Sequence, residues 1–306
     1  MKAALLAAAL VIGLAPQLHA QSPLTPSDIQ AIVAAPDRSA TDRATDERRK
    51  PELMLAFIGV RRGMTALDIS ASGGYTTELL ARAIGSGGIV YGQAWPGRNG
   101  LPQGSAQGNV QGGAPKGAKG AATGAAAKGG GPKGGEPSGA ADGPAGTSTP
   151  RVAGKSAESF ARREHSMQNA GVRAAPLAVL ARPYEAPAPL DLAAGAFDLV
   201  TLMFNYHDFG HMGVDRAAMN ASVLAALKPG GLYIIADHAG RPDTGISESN
   251  TLHRIEKSFL IREVEAAGFK MAGEADYLRN PDDPRDRNVP YPPMNKDGFI
   301  VKFVKP

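Results

Sequence analysis

The chain has 306 residues, of which 43% are hydrophobic, 38 are Gly, 24 are Pro and none is Cys. This length allows one or two domains with a sizeable core, and the lack of Cys excludes disulfides, thiolate metal sites and a cysteine nucleophile. The formal net charge of +4 comes from two parts of the chain. Residues 97–150 carry five Lys and Arg against two Asp and Glu, and Lys2 adds one more positive charge, so the remaining residues have no net charge. We therefore expect no nucleic-acid partner.

The N-terminus has the pattern of a targeting segment. Met1 and Lys2 precede an apolar run of 13 residues, 3–15, and the small residue Ala20 precedes a candidate cleavage point. This order is typical of a secretory signal peptide over residues 1–20. The run is too short to span a bilayer, which takes about 20 apolar residues, and no later stretch is long enough. The sequence predicts an exported protein, periplasmic or secreted, without a membrane span.

Strands and helices alternate in the first part of the mature chain. Residues 21–50 are polar and give no clear element. Pro51 then favours a helix start, because its missing N–H is not needed at the first helical position. The predicted elements are a helix at 52–58 closed by Gly59, a strand at 64–69, a helix at 76–84 and a strand at 89–91.

The composition changes sharply at residues 97–150. This segment holds 17 of the 38 glycines and almost no large apolar side chain. It cannot bury enough apolar surface to offset its chain entropy. We interpret it as a disordered insert within one domain formed by residues 21–96 and 151–306.

The alternation resumes after the insert. Residues 197–203 are apolar almost throughout, as expected for the middle of a parallel sheet that is covered on both faces. The further predicted elements are helices at 159–170 and 214–227 and strands at 177–180, 232–236 and 299–304, the last of which closes the sheet. One more helix is predicted before Gly268, and its apolar face consists of Leu252, Ile255, Phe259 and Val264. This order predicts an α/β fold with a doubly wound, mostly parallel sheet.

Ligands of such sheets bind beyond the carboxyl ends of the strands, so the residues that follow each strand are the candidate site. Small residues at 70–74 follow the first strand and allow the backbone to approach a ligand closely. Gln93 follows the second strand. Asn-Tyr-His-Asp at 205–208 follows the fourth, and Asp-His at 237–238 follows the fifth.

Three segments carry a family resemblance: Leu-Asp-Ile-Ser-Ala-Ser-Gly-Gly at 67–74, Phe-Asp-Leu-Val at 197–200 and Leu-Lys-Pro-Gly-Gly at 227–231. In this order they resemble the class I S-adenosylmethionine-dependent methyltransferases. Within that superfamily the chain is most similar to exported predicted methyltransferases, which share the segments at 205–208 and 252–255. The resemblance covers residues 45–96 and 156–306.

The resemblance implies a seven-stranded Rossmann-like methyltransferase fold, S-adenosylmethionine as cofactor, and a small-molecule or lipid-like acceptor. Two glycines of the family's loop are replaced by Ser70 and Ser72, and its ribose-binding acid is replaced by Gln93. The implied cofactor residues are Asp68, Ser70, Ser72, Gly73, Gly74 and Gln93. The implied substrate residues are Asn205, Tyr206 and His253, and the candidate catalytic bases are His207 and His238, because neutral imidazole suits that task near pH 7.

Two other classes of function stay open at this point. His207 and His211 share a face if their segment is helical, and with Asp208 and the pair at 237–238 they could form the site of a metal-dependent hydrolase, although Gly210 weakens a helix there. The second alternative is a non-catalytic exported protein that keeps the fold as a binding module, which the two loop serines and the export signal favour.

Overall fold

A computed structural model describes residues 23–96 and 153–306 except 190, 191, 193 and 291. The predicted signal peptide, 1–20, and the predicted insert, 97–150, lie outside the described residues and stay predictions. In the described part of the chain, no helix is long and apolar enough to cross a membrane.

One seven-stranded sheet forms the centre of the molecule. Its order is β3-β2-β1-β4-β5-β7-β6. All neighbours pair in parallel except β7, which is antiparallel to β5 and β6. The strands are β1 (Thr65–Ile69), β2 (Ile89–Ala94), β3 (Leu177–Ala181), β4 (Phe197–Met203), β5 (Leu227–His238), β6 (Lys270–Ala275) and β7 (Gly298–Val304). This is the predicted doubly wound, mostly parallel sheet of seven strands.

The described helices cover both faces of the sheet. They are α1 (Pro26–Val33), α2 (Ala40–Arg49), α3 (Pro51–Ile58), α4 (Tyr75–Ile84), α5 (Ala153–Asn169), α6 (Asp208–His211), α7 (Arg216–Ala226) and α8 (Lys257–Ala266). Side chains alternate along each strand, so Leu67 and Val200 pack with Leu260 of α8 in one core cluster, while Ala66 packs with Leu80 of α4 in the other. The central strands lie between the two clusters, and the carboxyl ends of the parallel strands lie at one edge of the sheet.

The structure confirms most predicted elements and corrects several. The strand at 197–203 is β4 without change, but α8 starts at Lys257 rather than near Leu252. Leu252 lies in a turn, and Ile255 forms an isolated bridge with Ala239 instead. The Pro-Gly-Gly turn at 229–231 is an irregularity inside the longer β5, whose pairing with β4 shifts register there.

Two helices occupy the stretch 21–50, in which no element was predicted. Helix α1 has a capping box in which Thr25 and Asp28 bond each other's backbone N–H. Helix α2 is capped by Ser39, and the side chains that it buries are the polar Asp42 and Thr45. Because the buried face of α2 is polar, hydrophobic periodicity could not reveal it.

Candidate active site

A cavity of about 1340 Å³ opens at the carboxyl ends of β1, β2, β4 and β5. The order of the sheet reverses between β1 and β4, so this is the topological switch point at which such folds bind ligands. Nine of the predicted site residues line the cavity, namely Asp68, Ser70, Ser72, Gly73, Gln93, Asn205, His207, His238 and His253. Gly74 and Tyr206 are not part of its wall.

The loop after β1 keeps a glycine-type backbone despite its two serines. Ser70 and Ser72 have φ values of 56° and 50°, in the left-handed region. The strain of this conformation costs about 1–2 kcal/mol per residue. The loop is held in place because the Ser70 N–H donates to Oε1 of Gln93 at 2.9 Å and Oγ of Ser156 donates to the Ser72 carbonyl at 3.0 Å. The two serines therefore adopt the positive-φ backbone that is typical of glycine, and they lie on the cavity wall.

Asp68 lies near the end of β1 and is almost completely buried. Its two carboxylate oxygens accept hydrogen bonds from Oγ1 of Thr77 at 2.7 Å and Oγ1 of Thr201 at 2.8 Å. Burial raises the pKa of Asp68 to about 6, against the lowering effect of these two hydroxyl groups. The carboxylate thus joins β1 to α4 and β4 as well as facing the cavity.

Gln93 lies inside β2 rather than after it and is completely buried. Its Oε1 accepts from Ser70, and its Nε2 donates to the Arg182 carbonyl at 2.6 Å. In this conformation both ends of the amide brace the loops around the cavity. A direct contact of Gln93 with a ribose stays a prediction.

Gly74 packs against a helix instead of lining the cavity. It has a φ of 84° at the start of α4, and a Cβ placed on it would come within 2.9 Å of the Phe160 ring of α5. The prediction that Gly74 contacts the cofactor is therefore corrected: the residue is small because Phe160 fills the space beside it. Its neighbour Gly73 does line the cavity, and the Gly73 carbonyl accepts from Nε of Arg163 at 2.7 Å.

Tyr206 points into the core, which corrects its prediction as a substrate residue. The side chain is fully buried. Its hydroxyl donates to Oε2 of Glu263 at 3.1 Å and accepts from Nδ2 of Asn220 at 2.9 Å. These partners lie on α7 and α8, so Tyr206 fixes the segment after β4 to the helices behind it. Asn205 remains on the cavity side, where its Nδ2 donates to Oδ2 of Asp208 at 3.3 Å.

His207 is buried between two carboxylates. Its Nδ1 lies 2.5 Å from Oδ1 of Asp237, and its Nε2 lies 3.0 Å from Oδ1 of Asp208. Burial alone would lower the pKa of His207, but the charges and hydrogen bonds of the two aspartates raise it to about 9. At pH 7 the ring is a cation with both nitrogens engaged, which contradicts the expectation of a neutral base at this position.

His238 has the opposite electrostatic setting. Burial lowers the pKa of His238 well below its usual value, and the positive charges of Lys296, His207 and Arg254 lower it further. Its Nδ1 is buried without a hydrogen-bond partner among the described residues. His238 is therefore a neutral imidazole on the cavity wall, and it is the better placed of the two predicted bases.

Three histidine rings, two of them in the segment after β4, lie close together. The rings of His207 and His253 lie 5.6 Å apart, and those of His211 and His253 lie 5.7 Å apart. His253 contacts Oδ1 of Asp208 through its Nδ1 at 2.8 Å. It lies in irregular backbone just after a turn, with a φ of 50°, and not at a helix start as the sequence suggested. This irregular segment brings His253 to the cavity from the part of the chain that follows β5.

The cavity wall also contains groups that the sequence did not predict as site residues. Trp95 follows β2 and stacks on Tyr184 with ring centroids 5.3 Å apart. Lys296 donates to the Leu252 carbonyl at 3.2 Å and to Oδ1 of Asn288 at 2.6 Å, and burial lowers its pKa to about 8. Lys296 has no periodicity that marks it, because it lies in an irregular segment before β7.

The sequence matches no family model and no curated protein. Among solved structures, a SAM-dependent methyltransferase from Aquifex aeolicus is similar at 14% identity and a TM-score of 0.47, over 92% of this chain and 100% of its own. An arsenic(III) S-adenosylmethionine methyltransferase from Chlamydomonas reinhardtii has 12% identity and a TM-score of 0.49, over 92% of this chain and 73% of its own. A geranyl diphosphate C-methyltransferase from Streptomyces coelicolor A3(2) has 12% identity and a TM-score of 0.49, over 94% and 90%. These are likenesses of fold, so the function is argued from the site.

Proposed function

We propose that this chain binds S-adenosylmethionine and transfers its methyl group to a small-molecule or lipid-like acceptor outside the cytoplasm. The observation that carries the proposal is the loop after β1. Ser70 and Ser72 have a left-handed backbone conformation, which allows a ligand to approach the chain closely at the switch point of the sheet. The predicted signal peptide supports the location.

The residues around the cavity fit the parts of this cofactor. The stacked pair of Trp95 and Tyr184 offers an aromatic face to a purine. Thr76 lines the cavity in the first turn of α4, and the partial positive charge of that helix end suits a carboxylate. Asp68 offers a carboxylate on the same wall for the ammonium group. The cavity volume of about 1340 Å³ leaves room for a second molecule beside the cofactor.

When bound, S-adenosylmethionine supplies a methyl group on a positively charged sulfur. The contribution of the protein is mainly to align the acceptor atom with that methyl group. For an oxygen acceptor, the neutral imidazole of His238 would take the hydroxyl proton, while the methyl–sulfur bond would break, the methyl–oxygen bond would form and S-adenosylhomocysteine would leave. His207 is already protonated and holds its position between Asp208 and Asp237.

The low pKa of His238 indicates which kind of acceptor group the site suits. A weak base removes a proton efficiently only from an acidic group. The cations that lower the pKa of His238, Lys296 and Arg254 among them, also favour a negative charge nearby. The site therefore suits an acidic hydroxyl, such as a phenol or an enol, better than an alkyl alcohol.

Calorimetric titration of the mature chain with S-adenosylhomocysteine tests the proposal. We expect one molecule bound per chain, and we expect Trp95→Ala to weaken binding about tenfold, because base–aromatic stacking is worth about 1–3 kcal/mol. Leu53→Ala, at an exposed position on α3, is the control and keeps wild-type affinity. Folded protein that releases no heat with S-adenosylhomocysteine or S-adenosylmethionine would exclude the enzyme and favour the non-catalytic binding module.

A further inference from the structure

Three side chains with metal-ligating atoms converge on the cavity wall. They are His207, Asp208 and His253, which are all buried and whose ligand atoms lie within 4.8 Å of one another. Oδ1 of Asp208 lies 3.0 Å from Nε2 of His207 and 2.8 Å from Nδ1 of His253. We propose that these three residues form a binding site for a divalent transition-metal ion. The inference does not rest on methyl transfer.

The surrounding residues orient the ligand atoms as the outer partners of metal sites do. Asp237 holds Nδ1 of His207 at 2.5 Å and also accepts the backbone N–H of His207 at 2.8 Å. This fixes the ring so that Nε2 faces Asp208. Asn205 donates to the other oxygen of Asp208 and leaves Oδ1 toward the two imidazoles. A carboxylate behind a ligating histidine is the usual arrangement in zinc proteins.

The distances allow an ion after a small rearrangement. Zinc–nitrogen and zinc–oxygen bonds of about 2.0–2.1 Å in a tetrahedron place neighbouring ligand atoms about 3.3 Å apart. The two contacts of Asp208 need to open by about 0.3–0.5 Å to reach that spacing. Nε2 of His207 and Nδ1 of His253 would each give up a proton as the ion enters, and each ring would keep one proton on its other nitrogen.

The ligand set indicates both the class of ion and its role. Two imidazoles and one carboxylate suit zinc, iron or manganese rather than calcium. Three protein ligands leave a coordination position open, and all three residues line the cavity, so that position is accessible from the cavity. His211 is not a ligand here, because its Nδ1 contacts Oγ of Ser249 at 2.9 Å and lies 4.0 Å from Asp208.

Titration with Zn²⁺ alone tests the site on the mature chain without a histidine tag, after treatment with a chelator. We expect one Zn²⁺ per chain. We expect His253→Gln and Asp208→Asn each to weaken binding by at least about 100-fold, since even outer partners of ligands contribute 10–100-fold. His165→Gln on α5, an exposed histidine that contacts Asn169, is the matched control and keeps wild-type affinity. Co²⁺ bound at the same site gives visible absorption that is lost in His253→Gln.

Two results would overturn the metal site: no Zn²⁺ bound by folded wild-type protein, or binding that both ligand variants leave unchanged, which would indicate adventitious zinc on the surface. Circular dichroism shows whether each variant is folded. If Asp208→Asn is not folded, the Zn²⁺ affinity of His253→Gln alone decides. A chain that binds S-adenosylhomocysteine but no Zn²⁺ contradicts the metal site and leaves the methyltransferase proposal in place. The reverse pattern contradicts methyl transfer and leaves the metal site.

Discussion

At the scale of single residues, the cavity wall combines buried charge with strained backbone. Asp68 is buried behind two hydroxyl groups, and Ser70 and Ser72 adopt φ values that favour glycine. Both features reduce the stability of the fold. Such features collect at functional sites and persist where the surrounding structure fixes them. The sequence predicted a ligand-binding loop at these residues, but it did not show that the serines take the glycine backbone.

The charge of Asp68 makes stability depend on pH. Its folded pKa of about 6 exceeds the ordinary value of 3.8 for an aspartate, so the folded state holds this proton more tightly than the unfolded state. Its contribution is therefore complete below about pH 4 and is lost as pH rises to about 6. Relative to wild type, Asp68→Asn should gain up to about 3 kcal/mol in unfolding free energy between pH 4 and pH 7. Urea unfolding across this range measures the difference, and a constant difference would show that Asp68 does not titrate there.

The strain of Ser72 gives a second prediction. Ser72→Gly should raise the unfolding free energy by about 1 kcal/mol, because glycine adopts positive φ without strain and loses only part of that gain to its larger unfolded-state entropy. Ser86→Gly is the control, since Ser86 is exposed and is not among the residues with positive φ. A loss of stability in Ser72→Gly that equals the loss in Ser86→Gly contradicts the proposed strain.

At the scale of elements, one arginine of α5 connects the segments around the cavity. Arg163 contacts Asp42 of α2 at 2.7 Å, Glu78 of α4, and the Gly73 carbonyl of the loop. The apolar strand β4 and the periodic helix α4 could be predicted, because each carries its own hydrophobic pattern. Helix α2 could not, since what stabilises its inner face is an ion pair with a residue 121 positions away.

Removing this arginine should destabilise the fold strongly. Arg163→Met leaves the carboxylate of Asp42 buried without this cation, whereas Glu78 keeps its ion pair with Arg82. Losing one partner of a buried pair costs about 3–5 kcal/mol. Arg162→Met, one residue earlier and exposed, should change stability by less than about 0.5 kcal/mol. Chemical unfolding of both variants measures the contrast. Equal stability of the two would show that Arg163 does not join these elements.

At the scale of the whole molecule, the alternation of strands and helices predicted the sheet. The rule that ligands bind beyond the carboxyl ends of the strands predicted the edge at which the cavity lies. The sequence could not show which side chains meet there. His207 and His253 both contact Asp208, which lies 45 positions before His253. The irregular segment that carries His253 has no periodic pattern. For the same reason Tyr206, next to His207, was predicted at the cavity although it faces the core.

The segment 97–150 gives a prediction for the intact chain. Because its composition cannot form a core, replacing it with a short Gly-Ser linker should leave the melting temperature almost unchanged. Differential scanning calorimetry of the two chains makes the comparison. A large drop in melting temperature after the replacement would show that the segment packs against the domain.

A crystal structure of the mature chain grown with S-adenosylhomocysteine shows directly whether the cofactor binds at the switch point of the sheet. We expect the nucleoside in the cavity, with its base against Trp95 and its amino-acid part beside the loop that carries Ser70 and Ser72. Crystals of folded protein in which the serine side chains fill this space, and the nucleoside lies elsewhere or is absent, would contradict it.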